Sequence, residues 1–237
     1  MDAKVGDWVV TPRLGKPIEI NALWINALWI MADWAERLGE ATAPGYRTLA
    51  EQAQQSFQRF WHPELGYGYD VLDGPEGDDP TLRPNQILAV SLPGNGILPR
   101  LFTPDQERRV VERCGHELLT SHGLRSLSPF DPRYQGVYAG DPGQRDGAYH
   151  QGTVWGWLLG AYAQAHYQVF GDQTVALSFL QPYAQHLYAH GVGSLSEIFD
   201  GDAPFVPRGC IAQAWTVAEV LRVWAILAPS SPPRPLA

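Results

Sequence analysis

The sequence predicts an all-α fold in which an inner ring of helices is wrapped by an outer ring, an α/α toroid. Two observations carry that expectation. Helical stretches alternate between ones apolar on every side, as a helix surrounded by neighbours must be, and ones apolar on a single face. Every long connection also falls after a one-faced stretch and before an all-apolar one, which sends the connections to one face of the ring. No alternating run of strand length competes with this reading.

The first stretch, Asn21 to Leu38, carries Leu23, Trp24, Ile25, Leu28, Trp29, Ile30 and Trp34, and is expected to be buried all round. Tyr46 to Trp61 is its outer counterpart, with Tyr46, Leu49, Ala53, Phe57 and Phe60 at three- and four-residue spacing between polar residues. Pro84 to Leu92 is short and apolar, followed by Pro104 to His122 with one stripe through Val110, Val111, Cys114, Leu118 and Leu119. Gln151 to Phe170 is again apolar all round. Gln173 to His190 is one-faced through Ala176, Phe179, Leu180, Tyr183 and Leu187, and Cys210 to Leu227 returns to the buried type. The connections His62–Leu82, Gly123–Tyr149 and Gly191–Gly209 are rich in Gly and Pro, and their length marks them as functional. The doubled Asn-Ala-Leu-Trp-Ile of residues 21–30 does not fit a helical face and reads as a coincidence of composition. Residues 1–227 are expected to form one domain, with a Pro-rich, disordered tail over 228–237.

A formal net charge of −8, with 17 Lys and Arg and no basic run, excludes a phosphate-backbone partner and suits a neutral substrate. No segment is apolar enough to span a bilayer and the start lacks the apolar core of a secretory leader, so a cytoplasmic protein is expected. Cys114 and Cys210 have no metal-ligand spacing and read as two buried, reduced thiols. No phosphate loop or nucleophile elbow is present, and no cofactor or metal is expected.

Nine Trp and ten Tyr are more informative. Several stand beside polar residues at helix starts: Trp155 after Tyr149-His150-Gln151-Gly152-Thr153, Trp24 after Glu19 and Asn21, Trp8 after Asp7. Sugar rings need both an apolar platform for their CH faces and polar side chains for their hydroxyl edges. Most aromatic residues are core, and it is the clustering that favours a sugar. Glycosidic hydrolysis also needs a proton donor and a base. Asp2, Glu19, Asp70, Asp131, Asp146, Glu197, Asp200 and Asp202 are the candidates at loop ends and apolar borders; composition does not choose among them, and Asp200 and Asp202 also read as turn residues in Phe-Asp-Gly-Asp. His150 is either a pocket residue or a hydrogen-bonded structural one.

Five segments, in order along the chain, resemble the amylo-α-1,6-glucosidase domain of glycogen-debranching enzymes of bacterial type. They are Trp8–Trp24, Leu82-Arg-Pro-Asn-Gln86, Arg145–Trp155, Ser196-Glu-Ile-Phe-Asp-Gly-Asp202 and Gly209-Cys-Ile-Ala-Gln-Ala-Trp215. The resemblance covers residues 1 to 227. It implies an (α/α)6 toroid of the six-hairpin glycosidase type and hydrolysis, with inversion, of α-1,6-linked glucose stubs in glycogen or limit dextrin. Inversion places an acid and a base about 6.5–9.5 Å apart across the sugar. By resemblance Asp2 is the acid and Glu197 the base, while Glu19, Trp24, Arg83, Asn85, Gln86, Asp146, His150, Gln151 and Trp155 bind the glucan, whether glycogen, limit dextrin or a malto-oligosaccharide. About seven helices are legible, short of six full pairs. The ring is therefore expected to be incomplete at its N-terminal side, with apolar flanks on its first and last inner helices that invite the missing half or a second copy. A glucan-binding fragment without turnover, and another toroid glycosidase of glucoamylase or trehalase type, are the competing readings.

Overall fold

A computed structural model describes residues 4–92 and 98–228. Four helices pack in sequence as an inner layer: α1 (Ile18–Arg37), α3 (Ile87–Ser91), α6 (Leu158–Phe170) and α9 (Ala214–Leu227). Outside them lie α2 (Ala43–Phe57) on α1, α4 (Pro104–Glu117) on α3 and α6, and α7 (Gln173–Ser178) on α6 and α9. Two further helices, α5 (Pro142–Tyr149) and α8 (Pro182–Ala189), complete the set of α-helices among the described residues. The inner-and-outer arrangement is that of the (α/α)6 toroid.

Local chemistry explains most boundaries. Thr103 caps α4 in a reciprocal box with Gln106, and Asp141 does the same for α5 with Gln144. Pro44, Pro104, Pro142 and Pro182 each stand in the first turn of a helix, where the missing N–H is no loss. Pro182 also divides the stretch expected to run unbroken from Gln173 to His190 into α7 and α8. The helix expected from Gln151 begins only at Leu158, because Val154–Trp155 is a strand and Gly152 has φ +149°. The one expected from Cys210 begins at Ala214, and the one expected to reach His122 stops at Glu117.

The three connections hold structure of their own. Two-residue strands at Leu124–Arg125, Val154–Trp155, Ile198–Phe199 and Pro207–Arg208 form one antiparallel sheet that joins the second and third connections to the start of α6. In the first connection, Val71–Gly74 pairs with Gly77–Asp79 and with Lys16–Pro17.

One core cluster lies between α1, α3, α4 and α6, through Ile18, Ile25, Phe57, Ile87, Val110, Leu118 and Tyr162; a second, through Leu159, Ala176, Tyr183, Phe199 and Val223, joins α6 to α9. α6 is buried on every side from Leu158 to Ala165, as expected. α1 and α9 are not. Ile18, Ala22, Ile25, Leu28, Ala32 and Ala35 of α1 are buried, whereas Trp24 and Trp34 are each 57% exposed. Trp215, Leu221 and Trp224 of α9 are exposed in the same way. Among the described residues α1 packs mainly on α2 and α3, and its far side, with Trp24 and Trp34, meets solvent. Cys114 is buried and Cys210 exposed, which corrects the expectation of two buried thiols; both are free. No helix among the described residues is long and apolar enough to cross a membrane.

Candidate active site

A cavity of about 230 Å³ lies at one end of the inner layer, lined by Thr11, Arg13, Glu19, Arg83, Ser126, His150 and Trp155 among others, so that the N-terminal segment, the starts of α1 and α6 and the residues around Arg83 and His150 meet there. Its polar wall is an ion network. The guanidinium of Arg13 spans Asp70 (Nε to Oδ2, 2.7 Å) and Glu19 (Nη1 to Oε1, 2.6 Å), so two segments far apart in sequence are fixed by one side chain. Burial pushes the Asp70 carboxyl above the usual carboxylate range, against the pull of Arg13 and Arg83. Arg83 donates to the carbonyls of Ser126 and His150 (3.0 and 2.6 Å) and to Oε1 of Gln151 (2.7 Å). Its buried Nε makes no hydrogen bond and lies 3.8 Å from Oδ2 of Asp70. Arg83 thereby ties the first connection to the second.

The aromatic wall is built in pairs. His150 stacks on Trp155 with ring centroids 5.2 Å apart and planes 5° from parallel; Trp157 stacks on Trp215 at 4.2 Å and 15°. The indole N–H of Trp155 donates to the carbonyl of Tyr149 (3.0 Å), which satisfies its one polar atom within the wall. Burial, helped by Arg83 and Arg13, lowers His150 from 6.5 to about 4, so it is a neutral imidazole at neutral pH. The pocket thus offers flat rings on one side and donors and acceptors on the other.

Glu197 stands beside this wall, joined to it through Tyr149, whose hydroxyl donates to Oε1 of Glu197 (2.5 Å) and whose ring contacts both His150 and Trp155. Of the residues singled out in the sequence, Glu19, Arg83, Asn85, His150 and Trp155 line the cavity. Gln151 holds Arg83, and buried Gln86 accepts from the Gly68 N–H and donates to the Arg83 carbonyl, one step behind the lining. Trp24 points to solvent from α1, and Asp146 is a half-buried residue of α5; neither lines the cavity. Asp2 lies outside the described residues. Asp200 has both oxygens engaged by Arg208 and accepts the Tyr138 N–H, Asp202 accepts from Tyr134, and Asp131 pairs with Arg133.

Arg13, Trp157 and Trp215 were not singled out in the sequence. Arg13 and Trp215 had a signal, since they lie in the Trp8–Trp24 and Gly209–Trp215 segments; Trp157 had none beyond its type, and it meets Trp215 only when α6 packs on α9. His186 of α8 and His190 just past its end have metal-pair spacing, but Nε2 of His186 is hydrogen-bonded to Ser196 (3.1 Å), and no group of three or more potential ligands that could hold a metal ion occurs among the described residues.

The family model for amylo-α-1,6-glucosidase matches residues 1–222. The chain belongs to that family. Its fold is also similar to solved glycosidases. The GH63 mannosylglycerate hydrolase of Thermus thermophilus, in complex with Tris and D-glycerate, superposes with a TM-score of 0.63 at 14% identity, over 89% of this chain and 46% of that one. The neutral trehalase of Saccharomyces cerevisiae gives 0.62 at 15% identity, over 90% and 38%. The family 15 glucoamylase of Hypocrea jecorina gives 0.59 at 20% identity, over 92% and 43%. The chain spans less than half the length of each of these structures. Membership supports glycoside hydrolase chemistry on a carbohydrate.

Proposed function

We propose that this amylo-α-1,6-glucosidase-family protein hydrolyses α-1,6-linked glucose at trimmed branch points of glycogen or limit dextrin, with inversion at the anomeric carbon. The observation that carries the reading is the juxtaposition of stacked aromatic rings, a neutral ion network and a carboxylate, Glu197, joined to one wall of a glucose-sized cavity. In this reading a glucosyl ring packs on His150 and Trp155, and its hydroxyls bond to Glu19, Arg83 and Asn85. Glu197 is the base that takes a proton from water, and Asp2 the acid that protonates the leaving oxygen. Gln151, Gln86 and Arg13 hold the binding groups in place.

Phosphorylase-limit dextrin is the substrate that tests this. Release of β-glucose, followed by polarimetry or anomeric NMR, is expected to fall at least a hundredfold in Asp2→Asn and in Glu197→Gln. Full activity in both variants sinks the assignment. Trehalose and maltose in the same assay separate this activity from that of other toroid glycosidases.

The second reading is a glucan-binding chain that needs further ring helices for turnover. It is favoured by the apolar flanks of α1 and α9 and by the half-length match to the solved structures. Glycogen binding without β-glucose release, converted to turnover by the addition of ring-completing helices, would establish it in place of the first.

A further inference from the structure

Glu197 is held by more than its own strand. It is half-buried, directly before the strand Ile198–Phe199. Its backbone N–H donates to the Cys210 carbonyl (3.0 Å), and its own carbonyl accepts from the Gly156 N–H (3.2 Å), so the residue is fixed between two segments before its side chain is considered. The carboxylate then receives one donor on each oxygen: the Tyr149 hydroxyl on Oε1 (2.5 Å) and the Cys210 backbone N–H on Oε2 (2.9 Å). Gly209 makes the second contact possible, because a Cβ there would sit 2.4 Å from Oε2.

We propose that Tyr149 and the Gly209–Cys210 backbone form a positioning cradle that aims the Glu197 carboxylate at the water from which it takes a proton in hydrolysis. The inference rests on the reading of Glu197 as the base. These donors, one on each oxygen, stop the carboxylate from rotating and leave lone-pair capacity for a water. The Tyr149 phenol is held well above its usual range, first by burial and then by Glu197, so it remains protonated and acts only as a donor. The groups facing the carboxylate are Tyr149, with Tyr138 behind it, His150 and the Cys210 thiol. His150 is neutral near pH 7 and nearby Arg208 is committed to Asp200, so hydrogen bonds rather than a counter-charge hold the anion. In water attack, the proton leaves the nucleophilic water for the free lone pair of Glu197 while Tyr149 keeps its own.

Tyr149→Phe removes one donor with little change of shape. With limit dextrin as substrate, kcat is expected to fall about ten- to a hundredfold while KM stays within about threefold. A ¹³C-carboxyl NMR spectrum at neutral pH, with the Glu197 signal assigned by its loss in Glu197→Gln, reads the lost donor as a displaced carboxyl resonance without any need for turnover. A Tyr149→Phe protein whose carboxyl resonance and kcat match wild type overturns the cradle, as does one that is merely less stable to heat with an unmoved resonance. Full activity in Glu197→Gln overturns the base assignment instead, while the carboxyl resonance still decides whether the cradle exists.

Discussion

His150 and His122 show how single residues at the heart of this chain set its response to acid. Burial lowers each from 6.5 to about 4; His150 is also repelled by Arg83, and His122 by His186. Between those values the unfolded chain takes up protons that the folded chain refuses, so stability is full above pH 6.5 and is lost as pH falls towards 4. The loss is at most about 3 kcal/mol for each residue, and less where water reaches the ring. Urea unfolding at pH 7, 6 and 5 is expected to show a falling midpoint, in a range where ordinary carboxylates scarcely titrate. The double variant His122→Gln, His150→Gln should flatten that slope. A wild-type midpoint constant from pH 7 to 5 contradicts the assignment. The same residues show what the sequence allowed at this scale. His150 and Trp155 were legible because a polar and aromatic run preceded a helix, and Glu19 and Arg83 through their motifs. Arg13, by contrast, owes its role to Asp70, fifty-seven positions away, and only the folded chain brings the two together.

At the scale of elements, helix character predicted the layering because burial on all sides and burial on one face leave different periodicities. Helix starts were less legible. Val154–Trp155 carries apolar residues that extend the pattern of α6, yet they belong to a strand whose pairing partners lie at 124–125 and 198–199. Strands of two residues leave no alternation to read, so the sheet that unites the connections was invisible in the sequence. Its tightest point is Gly123, with φ +157° and no room for a Cβ, which would lie 2.3 Å from the Trp155 carbonyl oxygen. Gly123→Ala should therefore push the strand at Leu124 off Val154–Trp155 and cost about 2–4 kcal/mol, from backbone strain and overpacking together. Chemical denaturation measures the cost. A loss below about 0.5 kcal/mol would mean that the sheet tolerates the displacement and does not hold the aromatic wall in place.

At the scale of the whole molecule, the exposed residues of α1 carry a pattern of their own. Ile20, Trp24, Ala27, Met31, Trp34 and Leu38 recur at alternating intervals of four and three, the stripe that one helix presents to another lying nearly parallel to it. The doubled pentapeptide contributes to this stripe and to the buried face at once: Trp24 points out, whereas Trp29, at the equivalent place in the repeat, packs against the core. On α9, Trp215, Leu221 and Trp224 form a second exposed flank, and Ile20 and Trp215 also line the cavity. A partner that covered these flanks would therefore also touch residues that line the cavity. The isolated chain is expected to bind a hydrophobic dye and to sediment with a mass that rises with concentration. Trp24→Gln with Trp34→Gln should suppress both effects while leaving the unfolding midpoint nearly unchanged, because both indoles lie mostly in solvent. Trp29→Gln, which cuts into the core, should lower the midpoint and leave self-association in place. A wild-type chain that stays monomeric at about 100 μM and ignores the dye would show that the stripe is tolerated surface.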